Sequence, residues 1–337
     1  MYCSRFFIYI HSPARHGIQQ LSEFYPHVMN LYQHNQEQLV QLKEVSFRLE
    51  KDIQKLFEAN LKTIMGLDFV KSEFSIKNKR IDTLAFDPET HSFIIIEYKR
   101  DKNHSVVDQG LSYLNLMLEY KADFIIEYNE SLKQNLKRDD VDWSQTRIVF
   151  VSTSFTENQK SATNFKDLAI ELWEIKQYEN GSVIIDSIKK SAAAPSIKQI
   201  ATQSETLKAV VKEIRVYTEE DHINNKSDEV KELYESFKSA IMNLSDNIEL
   251  VPKKTYIAFK IKSNVVDVEL QANSLKFWIN LKIGELNDPL NLMRDVSILK
   301  GHNGNGDYEL TIRDTQQIEY IMSLIKQAIY YNLETIS

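Results

Sequence analysis

The sequence predicts an N-terminal α/β domain of three layers, helix on mixed sheet on helix, followed by a separate α+β domain. Three observations carry that prediction. An amphipathic helix is followed by three strand-like runs and then by alternating helices and strands, an order that suits a sheet covered on both faces. The apolar periodicity then lapses over Ser191-Ala192-Ala193-Ala194-Pro195-Ser196 and the small polar stretch 199–204. Beyond it a second helix, four strand-like runs, a further strand and a closing helix form an independent series.

Residues 11–28 show no period, so the fold is expected to begin near Met29, with 1–28 as an N-terminal appendage. Phe47, Ile53, Leu56, Phe57, Leu61 and Ile64 recur at steps of three and four, which predicts the first helix. The runs 69–76, 80–86 and 93–99 read as strands. Asp87-Pro88-Glu89-Thr90-His91-Ser92 joins the last two as a turn. A helix is expected over 105–120, strands over 123–128, 147–153 and 169–176, and a short helix over 157–165. The domain plan is 29–187 for the α/β unit, 188–206 for a linker and 207–337 for the α+β unit. In the latter, Val230, Leu233, Tyr234, Phe237 and Ile241 mark a helix, strands lie near Ile248, Tyr256, Val265 and Leu275 and over 308–312, and a helix runs from Thr315 to about Asn332.

Composition excludes several classes. With 42% hydrophobic residues, 16 Phe and 16 Tyr, the 337-residue chain has enough apolar mass for real cores, so disorder throughout is excluded. Its longest apolar runs fall far short of the ~20 residues that cross a bilayer, so no membrane partner is expected. The run Phe6-Phe7-Ile8-Tyr9-Ile10 is too short for a signal sequence. A single cysteine, Cys3, forms neither an internal disulfide nor a cysteine-based metal cluster, which fits a reducing cytoplasm. The net charge of −7 excludes a generally basic nucleic-acid coat but not a local basic rim.

The chemistry concentrates in the second and third strands. If 87–92 is the turn, Phe86 faces Phe93, Leu84 faces Ile95 and Asp82 faces Glu97. Cβ atoms at such positions lie about 4.5–5.5 Å apart. Lys99, two residues beyond Glu97, projects from the same side. Facing carboxylates on a buried strand repel each other unless something neutralises them, and a divalent cation is the natural answer. Carboxylate oxygens with no cysteine or paired histidine nearby favour Mg2+ or Mn2+.

Asp82, then fourteen residues, then Glu97-Tyr98-Lys99 resembles the PD-(D/E)xK nuclease superfamily, with Ile81 where the proline of that name would stand. The resemblance covers roughly residues 45–175 and implies a restriction-endonuclease-like core. It implies that Asp82 and Glu97 bind the metal and that Lys99 activates water and stabilises charge on the phosphate. Glu50, expected to face the core side of the first helix, would complete the metal site. Gln109 and Tyr113 are similar to the QxxxY pair of recombination-type nucleases, close to the archaeal mismatch-nuclease and Holliday-resolvase branches. Lys79, Arg80, Arg100 and Lys102, at the strand ends, would meet nucleic-acid phosphates. The C-terminal unit resembles an uncharacterised domain fused to such nucleases. The expectation is therefore a Mg2+- or Mn2+-dependent nuclease acting on DNA. The alternative is a catalytically silent nuclease fold that binds nucleic acid or assembles through a C-terminal homodimer, with Asp82 and Glu97 in a structural ion-pair set.

Overall fold

The structure is a computed structural model describing residues 30–99, 105–191, 193–199, 205–299 and 304–334. The predicted appendage and part of the predicted linker lie outside the described residues. β1 (Tyr32–Asn35) and β2 (Gln38–Gln41) form a small hairpin. A seven-stranded mixed sheet is then built from β3 (Glu44–Val45), β4 (Asp68–Ile76), β5 (Lys79–Asp87), β6 (Ser92–Lys99), β7 (Arg147–Ser152), β8 (Ile170–Tyr178) and β9 (Val183–Ser187). Its order is β3-β8-β7-β6-β5-β4, with β9 on β8. β6, β7 and β8 are parallel, and the meander β4-β5-β6 is antiparallel.

Helices cover both faces because the central strands are apolar on both sides. α1 (Glu50–Met65) lays Ile53, Phe57 and Leu61 against Ile94, Ile96, Val149 and Val151. It stops at Gly66, whose left-handed φ of 73° lets its N–H close on the Lys62 carbonyl at 2.9 Å. On the other face α2 (Val106–Glu119) and α3 (Lys121–Leu132) bring Leu114, Met117 and Phe124 onto Leu84, Phe93, Ile95 and Phe150. α4 (Glu157–Thr163), capped by Thr156, precedes β8. The α/β class is thus as the sequence predicts.

Two expectations need correction. Residues 123–128 are helical, inside α3, although Asp-Phe-Ile-Ile-Glu-Tyr has the β-branched and aromatic character of a strand. Tertiary packing decides otherwise, since Phe124 and Tyr128 of one helix face reach the Phe86 and Phe93 rings. The first core also continues past residue 187: Ile197 and, around α5 (Glu205–Glu213), Leu207, Val210 and Ile214 are buried in it.

The second unit has α6 (Glu219–Ile223) and α7 (Asp228–Met242), then β10 (Glu249–Pro252), β11 (Ile257–Lys260), β12 (Asn264–Leu270), β13 (Leu275–Ile279), β14 (Arg294–Asp295), β15 (Tyr308–Ile312) and α8 (Ile318–Glu334). The six strands form an antiparallel sheet ordered β10-β11-β12-β13-β15-β14. α7 and α8 pack on it through Phe237 against Phe277, Ile325 and Ala328, giving a separate α+β core. No helix among the described residues is long and apolar enough to cross a membrane.

Candidate active site

The β5–β6 register is the one counted from the turn, with Phe86 paired to Phe93, Leu84 to Ile95 and Thr83 to Ile96. Backbone pairing stops there, and the next residue on each strand is an acid. The Asp82 N–H donates to Glu97 Oε1 at 3.2 Å, and the Tyr98 N–H donates to Asp82 Oδ2 at 3.0 Å. Two side-chain carboxylates thus take the place of two main-chain carbonyls in the ladder, which fixes both side chains against each other. Lys99 Nζ lies 3.4 Å from Glu97 Oε2, and Gln109 on α2 donates to the same oxygen at 3.0 Å. Tyr113, one turn further along α2, donates to the Arg80 carbonyl at 3.1 Å and so holds the strand end beside Asp82.

Glu97 is 2% exposed and Asp82 is half-buried. Burial first, and the Asp82 charge second, push the Glu97 carboxyl up to about 7. Burial also raises Asp82, against the opposing pull of the Tyr98 N–H and Lys99. Burial raises the Tyr113 phenol as well, with the Glu97 charge adding to it. The site is therefore short of positive charge, with one lysine facing two acids.

Of the sequence-predicted residues, Asp82, Glu97, Lys99 and Gln109 are brought together and Tyr113 supports them. Glu50 is not brought in with them: it sits exposed in the first turn of α1 rather than on the core side, although its charge is felt at Asp82. The helix begins at Glu50, and its first buried position is Ile53, so the face that meets the sheet starts after Glu50. Among the described residues no group of three or more His, Cys, Asp or Glu side chains gathers in a way that could hold a metal ion. Lys79 and Arg80 are exposed, Arg80 pairing with Glu73 at 2.9 Å. Arg100 and Lys102 lie outside the described residues.

Sequence reasoning missed the support under the site. Gln54, 3% exposed on the sheet side of α1, donates to the Asp82 carbonyl at 2.7 Å and to Glu58 Oε1 at 2.9 Å. Thr83 donates to the same Glu58 oxygen at 2.6 Å and bonds the Tyr98 hydroxyl at 3.3 Å. The signal was a glutamine between Ile53 and Phe57 on an otherwise apolar helix face. Glu73, directly across β4 from Asp82, is held by Lys51 at 2.6 Å as well as by Arg80, with a left-handed φ of 53°.

The fold and site define a mixed α/β core that sets a buried carboxylate pair and a lysine at one end of its central hairpin. A "domain of unknown function (DUF5655)" matches residues 219–332. An uncharacterised protein of Haemophilus influenzae (strain ATCC 51907 / DSM 11121 / KW20 / Rd) is 58% identical over 301 residues, covering 89% of this chain and 99% of that protein. The chain belongs to the same family as this Haemophilus protein. Among solved structures, a repair endonuclease from Pyrococcus abyssi is similar with a TM-score of 0.21 and 21% identity, covering 36% of this chain and 44% of that one. EndoMS in complex with double-stranded DNA is similar with a TM-score of 0.21 and 14% identity, covering 40% of this chain and 55% of that one. The chain thus spans about half the length of these two solved structures.

Proposed function

We propose that the chain is a metal-dependent nuclease of the PD-(D/E)xK superfamily that hydrolyses phosphodiester bonds, with DNA as its substrate. The observation that carries this reading is the convergence of Asp82, Glu97 and Lys99, with both carboxyls raised by burial. Two acids short of positive charge, with oxygen donors alone, fit a hard divalent cation such as Mg2+ or Mn2+. Asp82 and Glu97 would hold it. When bound, such a cation supplies Lewis-acid polarisation and neutralises the phosphate. Lys99 donates to a non-bridging phosphate oxygen and offsets the charge that builds on it in the transition state. Gln109 fixes the Glu97 carboxylate, and Tyr113 and Gln54 brace the backbone on either side of Asp82. The C-terminal unit selects the substrate or partner, and the single cysteine suits a cytoplasmic setting.

The test is cleavage of plasmid, branched, single-stranded and RNA substrates in Mg2+ or Mn2+. Wild type cuts, while Asp82→Ala and Lys99→Ala lose activity by about a hundredfold or more. Lys99→Ala retains most affinity in a chelator, because one phosphate contact is a small part of backbone binding. The missing third acid among the described residues favours a second reading, a binding protein that keeps the fold without cutting. Wild type that binds DNA but cuts with no divalent metal establishes that alternative.

A further inference from the structure

The cleft between the two units lies at the opposite strand ends from the carboxylate pair. Arg147, which opens β7 on its wall, pairs with Ile94 near the start of β6, whereas Glu97 and Lys99 close that strand. Five residues of strand separate Ile94 from Lys99, roughly 16 Å at about 3.3 Å per residue. In a chain of net charge −7, the cleft is lined by eight Lys and Arg side chains against three Asp and Glu. Several of the cations are committed elsewhere: Arg147 to Asp87 and Glu171 at 3.0 Å each, and Lys253 to Glu89 at 3.3 Å.

Lys190 and Lys260 differ. Lys190 follows β9 on the first unit, and Lys260 ends β11 on the second, so each unit contributes one. Both are half-buried, and acids reach them as charges, Glu171 and Asp167 at Lys190 and Glu89 and Asp87 at Lys260. Lys190 donates to the Leu168 carbonyl. Burial lowers the Lys190 ammonium to about 8 and lowers Lys260 as well. Withdrawing an ammonium from water is costly, the surrounding carboxylates only partly offset it, and an anion that completes the site offsets it further. Exposed Lys166 and Lys262, on the same lining, add to the field. The cleft encloses about 1010 Å³ and includes the Trp173 ring, dimensions and lining suited to a ligand of nucleotide size.

We propose that this cleft is a second site, independent of the nuclease reading, that binds a phosphate-bearing ligand of nucleotide size through Lys190 and Lys260. The phosphates belong either to a free nucleotide or to a nucleic-acid backbone.

The experiment is calorimetric titration of the full chain in a chelator with ATP, with pyrophosphate and with a twelve-nucleotide single strand. At least one of these probes binds wild type, and the Lys190→Gln/Lys260→Gln double variant weakens it about tenfold or more. Lys260→Arg keeps the charge and retains binding, and Asp82→Asn leaves the affinity for ATP unchanged. ATP binding without strand binding identifies a free nucleotide, and the reverse identifies a backbone. Should the double variant fail to fold, photo-crosslinking of wild type with an azido-ATP or azido-oligonucleotide decides: label in peptides spanning 183–191 or 253–262 supports the site, and label elsewhere overturns it. Absence of binding by every probe up to millimolar concentration, or equal binding by wild type and double variant, also overturns it.

Discussion

Glu97 sets the pH behaviour of the metal-free protein at the scale of single residues. With its carboxyl raised to about 7, the folded chain keeps a proton that the unfolded chain gives up near 4.5. The stability this supplies is fully present below about 4.5 and is lost as pH rises toward 7, on the order of 3 kcal/mol. Asp82→Asn removes the charge facing Glu97 while leaving an oxygen for the Tyr98 N–H. We expect Asp82→Asn to melt higher than wild type in a chelator at pH 7.5, with the gap shrinking toward pH 4.5; equal melting curves across that range would refute the repulsion. Mg2+ or Mn2+ should raise the wild-type Tm, linkage stabilising the fold by about 2.7 kcal/mol at a hundred times Kd, and Asp82→Asn should lose most of that response. An undiminished response in the variant would place the cation elsewhere. Asp82, Glu97 and Lys99 were legible because the turn Asp87–Ser92 fixes the hairpin register, and register decides which side chains meet. Gln54 was harder to read, since its partner is the main chain of Asp82, which no side-chain pattern displays.

At the scale of elements, β4 carries an irregularity that pairing alone would not reveal. Glu73 adopts φ 53° between Ser72, paired to Thr83, and Phe74, paired to Ile81. Ser72 meets Gln54 on the α1 side, whereas Phe74 stacks edge-on against Phe124 on the other face at 5.5 Å. The left-handed residue therefore reverses the alternation of the strand opposite Asp82. A non-glycine residue in that region costs on the order of 1–3 kcal/mol, and β-branched side chains tolerate it worst. Glu73→Asn should stay within about 1 kcal/mol of wild type in urea unfolding, since the ion pairs it loses are partly exposed. Glu73→Val should cost about 2 kcal/mol or more. Equal losses for the two would mean that the backbone there is not constrained. The same competition explains α3, where local strand propensity yields to the aromatic contacts of Phe124 and Tyr128.

Across the whole molecule, the two units meet through Lys254–Asp142 at 3.0 Å, Lys189–Glu249 at 2.8 Å and, most deeply buried, one turn. Glu89, in the β5–β6 turn, accepts from the Tyr256 hydroxyl at 2.8 Å and from Asn264 at 2.7 Å, beside Lys253. Burial works against its ionisation, but Lys253 and Asn264 outweigh that and hold the carboxyl below its usual range. The docking this supplies is present above about 4.5 and is lost as pH falls below it. Glu89→Ala should uncouple the units, so that calorimetry shows two transitions at neutral pH where wild type shows one; a single unshifted transition would rule this role out. No sequence pattern announces the contact, since 167 positions separate Glu89 from Tyr256 and the turn residues look like ordinary solvated loop.

The reciprocal bonds between Asp82 and Glu97 also make the site observable without any substrate. The amide protons of Asp82 and Tyr98 each point at a carboxylate oxygen, so their nitrogen and proton resonances carry the ionisation state of the two acids. A titration of those two signals reads out protonation directly, residue by residue. Competition between proton and cation for the same oxygens then becomes a shift in the titration midpoint, measurable on a protein that is doing nothing else.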